Sequence, residues 1–170
     1  MDLALFVLRL VVGLLFAGHG AQKLFGVFGG GGLVGTAEMF DGIGLRPGAI
    51  HARAAGTAEF MGGLLLAAGL FTPLAAAALI AVMTAAVIKV HAPNGIWNTN
   101  KGYEYNLVLT TVAFALAGIG AGAWSLDNAF GFDLHGVIWA VAALAAGVIG
   151  GIGSVLSGRT SAGHEPHPAS

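Results

Sequence analysis

Six ionisable side chains interrupt the apolar segments of this chain and are the residues best suited to carry chemistry. They are His19, Lys23, Glu59, Lys89, His91 and Glu104. A charged side chain inside a lipid bilayer costs about 2.5–3.5 kcal/mol on insertion scales, so a charge in such a segment marks a functional site by default. Carboxyl, imidazole and ammonium groups in one pocket can exchange protons near neutral pH. The residue types therefore predict a polar site for proton-coupled chemistry within an apolar helix bundle.

Three polar residues near the end of the first apolar segment share one face of a helix. His19, Gln22 and Lys23 are spaced i, i+3 and i+4, which stacks their side chains along an α-helix. We expect this trio to line the site, with His19 and Lys23 donating to oxygen atoms of a bound molecule. Arg9 lies ten residues before His19, about 15 Å along the helix axis, and either snorkels outward or reaches inward to a carboxylate.

The other candidates belong to the second, third and fourth apolar segments. Glu59 is the most costly to bury, and it can stay ionised if Lys23 or His19 faces it. His91 ends the third segment, just before a Pro-Asn-Gly turn signal. Glu104 opens the fourth segment, where the helix dipole also favours a carboxylate without any functional role.

Together these residues define a predicted site. The predicted catalytic residues are His19, Lys23, Glu59, His91 and Glu104. The predicted cofactor-binding residues are Arg9, Gln22, Tyr103 and Asn106. Two His and two Glu could ligate a transition metal, but the chain has no tight pattern such as His-Glu-x-x-His. We therefore predict no metal site.

The composition is that of an integral membrane protein. Of the 170 residues, 56% are hydrophobic and 9% are charged, whereas a soluble domain carries about 25% charged residues. The apolar residues form continuous runs, which favours helices over the alternating pattern of a barrel wall. A net charge of −1 provides no field to attract nucleic acid. Because the chain has no cysteine, any redox chemistry must use a cofactor or the thiols of a partner.

Five apolar runs predict an all-α, polytopic transmembrane bundle. They cover about residues 3–24, 54–71, 73–90, 105–119 and 134–156. The second run can start earlier, because Pro47 suits a first helical turn. Within the connection at residues 25–50, we expect a short surface helix from Thr36, as its N-cap, to Phe40. We expect a four-helix membrane domain at residues 1–130, a fifth helix at 131–156 and a disordered tail at 157–170.

The predicted topology places most of the ionisable residues on one side of the membrane. Consecutive membrane helices run in opposite directions, so the ends of runs one and three and the starts of runs two and four share a side. Six of the seven Lys and Arg residues lie in the connections on that side or in the tail, and Arg9 alone lies towards the other. The positive-inside rule therefore predicts a cytoplasmic site and an N-terminus outside.

Several short motifs, taken together, resemble those of the DoxX family of small bacterial inner-membrane proteins. The matching segments are Arg9-Leu10 with Gly13, residues 18–26, 59–63, 91–95, 102–106 and 125–127. The resemblance implies a four-helix membrane bundle, and the fifth run departs from that pattern. The family takes its name from a subunit linked to thiosulfate:quinone oxidoreduction, and other members are associated with oxidative-stress and thiol-redox complexes.

The resemblance implies a membrane subunit of an oxidoreductase or oxidative-stress system. Its pocket would hold a quinone or a small redox substrate, and flavin or haem would come from a partner. Two alternatives stay open: a small transporter or channel, and a scaffold that recruits a soluble redox enzyme. The expected partners are the lipid bilayer, a soluble or membrane redox protein and further copies of this chain. Whether the chain is catalytic by itself also stays open.

Overall fold

The computed structural model describes residues 2–158, which contain seven α-helices and no β-strand. The α-helices are α1 Asp2–Phe25, α2 Gly32–Gly42, α3 Gly48–Ala68, α4 Thr72–Ala86, α5 Glu104–Ile119, α6 Leu126–Ala129 and α7 Val137–Ser157. A π-helical turn at Val87–His91 and two 3₁₀ turns connect α4 to α5. The all-α prediction is confirmed. Most of the predicted tail, residues 159–170, lies outside the described residues.

The five predicted apolar runs correspond to α1, α3, α4, α5 and α7, but their lengths differ. Three helical stretches are long and apolar enough to cross a membrane: Asp2–Phe25, Thr72–Asn94 and Val137–Ser157. Helix α5 has 16 residues, about 24 Å, which is shorter than the roughly 30 Å of a hydrocarbon core. Helix α3 has 21 residues because it extends back to Gly48, as Pro47 suggested, and this extension adds polar residues.

Helix α3 is held against α1 by small residues. A β-carbon at Gly13 would lie 2.5 Å from the carbonyl oxygen of Gly63, and one at Gly63 would lie 2.5 Å from the backbone nitrogen of Ala17. Such contacts leave no room for a side chain, so glycine is required for the two backbones to approach this closely. This pairing fixes the position of the end of α1 relative to the middle of α3.

The apolar core lies among α1, α3, α4 and α5. Its buried members are Val12, Phe16, Leu66, Ala75, Leu79, Met83, Leu109 and Leu116. A second cluster joins α4 and α5 to α7 through Ile80, Ala113 and Ala143. Helix α7 therefore packs as an integral part of the bundle, beside α4.

The two ends of the described chain lie at opposite ends of the bundle. The backbone nitrogen of Ala123, after α5, donates to the Asp2 carboxylate at 3.0 Å. Beyond α7, the carbonyl oxygen of Gly158 accepts from the backbone nitrogen of Arg46 at 3.3 Å. The end of the bundle near Gly158 is called the Gly158 end below, and the other is called the Asp2 end.

Helix α2 is longer than predicted and is not capped as predicted. It begins at Gly32, so Thr36 lies inside the helix, and the prediction of Thr36 as its N-cap is wrong. The buried Thr36 hydroxyl instead donates to the carbonyl oxygen of Lys23 at 3.4 Å, which ties α2 to the end of α1. Helix α2 also packs along α3 and covers the Gly158 end of the bundle.

Candidate functional site

A cavity of about 370 Å³ opens at the Gly158 end, between α2, α3, the end of α4 and α7. This volume lies within the range of roughly 300–1,000 Å³ that is usual for small-molecule sites. Most of its wall is apolar, with Phe40, Ile43, Leu45 and Val82 among the lining residues. The polar residues in the wall are Lys23, His51, Glu59, Lys89, His91 and Ser154. An apolar wall with a few polar groups is the usual composition of a ligand site.

Lys23 and Glu59 form an ion pair in the wall of the cavity. The Glu59 side chain is 3% exposed and that of Lys23 is 22% exposed, so the carboxylate is the more buried partner. Gly56, one turn before Glu59, leaves room for the end of α1, where the Leu24 side chain and the β-carbon of Lys23 lie against it. An isolated charge at the depth of Glu59 would be strongly unfavourable, and the ammonium group compensates it.

His51 is a cavity residue that the sequence analysis did not include. It lies in the first turn of α3, is 7% exposed, and its Nδ1 is 3.4 Å from the Ser154 hydroxyl of α7. The sequence analysis started the second apolar run at about residue 54, which left His51 in the connection. A signal was present, since His51, Ala55 and Glu59 are spaced i, i+4 and i+8, close to one helix face.

Lys89 and His91 reach the cavity from the π-helical turn that ends α4. Such turns are rare and often lie at functional sites. The Nδ1 atom of His91 lies 2.8 Å from the carbonyl oxygen of Lys101. Because a carbonyl oxygen only accepts, Nδ1 is the donor in this bond and a neutral ring has Nε2 as its acceptor.

His19 and Gln22 do not line the cavity, although His19 is one turn before Lys23 and Gln22 is its neighbour in the chain. The Nδ1 atom of His19 is 3.1 Å from the Gln22 side-chain oxygen, and the Gln22 amide donates to the carbonyl oxygen of Phe28 at 3.0 Å. These bonds stabilise the turn that follows α1. The expected trio therefore separates, and only Lys23 turns towards Glu59.

The predicted residues of α5 lie at the Gly158 end but outside the cavity wall. The Glu104 carboxylate accepts from the backbone nitrogen of Asn98 at 3.0 Å and so stabilises the connection before α5. The Asn106 amide is buried, 3.3 Å from the sulfur of Met83. Tyr103 is the residue just before α5 and, like Glu104, is partly buried.

Arg9 lies far from the cavity, towards the Asp2 end. Its fully buried guanidinium donates to the carbonyl oxygens of Ala67 at 3.1 Å and Trp124 at 2.7 Å. It packs against Gly69, whose φ of +65° ends α3 and where a β-carbon would meet the guanidinium. Arg9 thus joins the α3–α4 turn to the segment after α5.

Within residues 2–158, no three His, Asp or Glu side chains are grouped so that they could hold a metal ion. The arrangement is suited to a mostly apolar molecule with a few polar atoms.

Comparisons with known proteins agree with the resemblance found in the motifs. A sequence model of the DoxX family matches residues 4–92, a stretch that includes Lys23, His51, Glu59, Lys89 and His91. A Bacillus subtilis (strain 168) protein named "Putative oxidoreductase CatD" is 30% identical over 119 residues, which cover 69% of this chain and 81% of that protein. The comparison with solved structures found no match. The chain belongs to the DoxX family, and its long apolar helices are those of a membrane protein.

Proposed function

We propose that this chain is the membrane subunit of an oxidoreductase system and that its cavity binds a quinone or a similar small redox molecule. The observation that carries the proposal is the apolar cavity with the buried Lys23–Glu59 pair and His51 in its wall. The name of the Bacillus subtilis relative adds independent support for redox chemistry.

The residues of the cavity fit a quinone ring. The apolar wall can hold the flat ring, while His51 and Lys89 are donors for its carbonyl oxygens. A bound quinone would supply the redox chemistry, accepting two electrons and two protons to become a quinol. The volume of about 370 Å³ accommodates a head group of this size, with a tail that extends towards the opening.

The proposed role of the protein residues is to bind the ring and to move protons. Of the two protons that the ring would take up, His51 is proposed to give one and the Lys23–Glu59 pair the other, because both groups line the same cavity, and solvent at the cavity opening returns both protons. Helix α2 limits the entry of water. Since the chain has no cysteine, the proposed electron donor is a redox partner protein that docks at the Gly158 end.

The closed core argues against transport through the bundle. Beyond Glu59, the apolar cluster that includes Phe16, Leu66 and Leu79 occupies the space between the helices. On the far side, the buried Arg9 is bound to backbone carbonyl groups. A cavity open at one end suits binding better than passage.

The same topology suggests where the protein acts. We place the chain in the inner membrane of a bacterium, with the N-terminus outside and the cavity facing the cytoplasm. The excess of Lys and Arg at the Gly158 end supports this orientation.

Quinone binding by the purified protein tests the proposal. In detergent micelles, we expect saturable binding of ubiquinone-1, weakened at least about tenfold by Glu59→Gln or His51→Ala, as loss of a hydrogen bond to a charged group implies. Glu38→Gln and His135→Ala are the matched controls, because neither residue lines the cavity. If the oxidised and reduced forms both fail to bind, or if the controls lose binding equally, the proposal is wrong.

A further inference from the structure

The cavity has an excess of positive charge. Lys23 and Glu59 compensate each other, whereas Lys89 has no ion pair within residues 2–158. The Nζ atom of Lys89 lies close to Gly44, 3.5 Å from the position that a β-carbon there would occupy. The cavity wall therefore carries two ammonium groups and one carboxylate, together with two imidazoles.

Among residues 2–158, no other element contributes a compensating carboxylate to this wall. The lining residues of α2 and the following turn are Met39, Phe40, Ile43 and Leu45, and those of α7 are Gly150 and Ser154. Asp41 of α2 is not among them, and its carboxylate accepts from the backbone nitrogen of Gly48 at 2.7 Å. Within the described part of the chain, Lys89 is thus an ammonium group in a mostly apolar cavity without an acidic partner.

His51 adds a second group with unused hydrogen-bonding capacity. His51 is more than nine-tenths buried. Within residues 2–158, its one side-chain hydrogen bond, to the Ser154 hydroxyl, is 3.4 Å long, which is at the upper limit for such a bond. Among the same residues, the Nε2 atom of His51 has no hydrogen bond, and it is not among the fully buried unpaired atoms. It is therefore accessible to a polar atom of a ligand in the cavity that Lys89 also lines.

We propose that the natural ligand is an organic anion, with an apolar body and one acidic oxygen that binds Lys89 and His51. An acidic oxygen would neutralise the Lys89 ammonium and satisfy His51, while the apolar body would occupy the rest of the wall. This inference names the substrate class of the cavity and so rests on the proposed function. Within that function, the ligand is an acidic quinone, such as one with an ionised hydroxyl group on its ring.

Paired ligands that share a ring system and differ in one substituent, ionised in one member and neutral in the other, test the inference. 2-Hydroxy-1,4-naphthoquinone is ionised at neutral pH, whereas 2-methyl-1,4-naphthoquinone is neutral and has the same ring. We expect the wild-type protein to bind the acidic quinone at least about tenfold more tightly, the low end of what a hydrogen bond between charged groups contributes. 2-Naphthoate and naphthalene-2-methanol form a second pair, which has no redox function.

Variants of Lys89 show whether this residue causes the preference. Lys89→Gln should weaken the binding of the acidic quinone much more than that of the neutral quinone and so remove the preference, while Lys89→Arg should retain it. Lys101→Gln is the matched control, because Lys101 is exposed in the α4–α5 connection. The comparison of ligands on the wild-type protein decides the question even if Lys89→Gln does not fold.

The outcomes separate this inference from the proposed function. If neither acid binds more tightly than its neutral partner, the ligand is not an anion, and quinone binding by itself is unaffected. If neither quinone binds but naphthoate binds in a manner that depends on Lys89, the anion site stands and the proposed quinone function is wrong. A preference that survives Lys89→Gln would overturn the role of Lys89.

Discussion

At the scale of single residues, the Lys23–Glu59 pair determines the character of the cavity. Glu59 is almost fully buried, and Lys23 is its ion-pair partner. Replacing one member of such a pair is strongly destabilising, because it leaves the other charge buried without compensation, whereas replacing both is much less harmful. The stability of the bundle and the charge of the site are therefore coupled through these two side chains.

Lys23→Met alone should lower the free energy of unfolding by roughly 3–5 kcal/mol, because Glu59 loses its partner. Adding Glu59→Gln should restore most of the loss, since no buried charge remains. Thermal unfolding in detergent measures both effects, with Lys101→Met as the exposed control. If the double variant is no more stable than Lys23→Met, the two charges do not compensate each other.

Asp127 has a structural role at the Asp2 end. Its carboxylate accepts from the backbone nitrogens of Phe71 at 2.7 Å and Thr72 at 3.1 Å, and from the Thr72 hydroxyl at 2.7 Å. Asp127→Ala should therefore lower the free energy of unfolding by about 1–2 kcal/mol, as for other lost helix caps. Ligand binding by the folded variant should not change. Asp133→Ala, at an exposed position, is the control, and equal stability of the two variants would contradict this role.

The sequence indicated several of the residues that line the cavity, but it did not indicate which contacts their side chains make. Lys23, Glu59 and His91 were predicted site residues, and they line the cavity. His19 shares a helix face with Lys23, but its ring binds Gln22 locally, a contact that depends on the turn after α1. A spacing rule states which side chains are neighbours on one helix, and it does not state which of them reaches a second helix.

At the scale of elements, the glycine contacts between α1 and α3 hold the ion pair in place. Gly63→Ala should lower the free energy of unfolding by about 1–3 kcal/mol, because its β-carbon would overlap the backbone of α1 and force the helices apart. Gly18→Ala is the matched control, since nothing lies within 4 Å of its β-carbon position. Thermal unfolding compares the two, and similar midpoints would contradict the tight packing.

The limits of prediction at this scale have physical causes. Continuous apolar runs predicted five helices in the correct order, because hydropathy reports burial in lipid or protein. Pro47 indicated that α3 could start early, but the polar start of the helix lay outside the apolar run because its average hydropathy is low, so His51 was not predicted as a site residue. The length of α2 and the π-helical turn that presents Lys89 depend on tertiary contacts, such as that of Thr36 with the end of α1, which the local sequence does not reveal.

At the scale of the whole molecule, α7 completes the cavity. It packs along α4, and its Gly150 and Ser154 line the wall, with Ser154 beside His51 of α3. The family match ends at residue 92, before α5 and α7 begin. Helix α7, the fifth apolar run of the sequence, therefore contributes directly to the shape of the cavity as well as to the packing of the bundle.

The proposed orientation of the bundle rests on its charge distribution. A green fluorescent protein fused after Ser170 should fluoresce in bacterial cells, because the proposed topology places the Gly158 end in the cytoplasm. Alkaline phosphatase fused at the same position should be inactive. An active phosphatase and a dark fluorescent fusion would reverse the proposed orientation, and the cavity would then face the outside.

The most direct test of the central claim uses the absence of cysteine from the chain. A thiol introduced by Ala58→Cys lies in the cavity wall, whereas one introduced by Val34→Cys lies on the exposed face of α2. We predict that ubiquinone-1, a fully substituted quinone, slows maleimide labelling of the Ala58→Cys protein in proportion to its occupancy and leaves the Val34→Cys protein unaffected. Labelling of the Ala58→Cys protein at an unchanged rate, at quinone concentrations that saturate binding, would show that the quinone binds elsewhere.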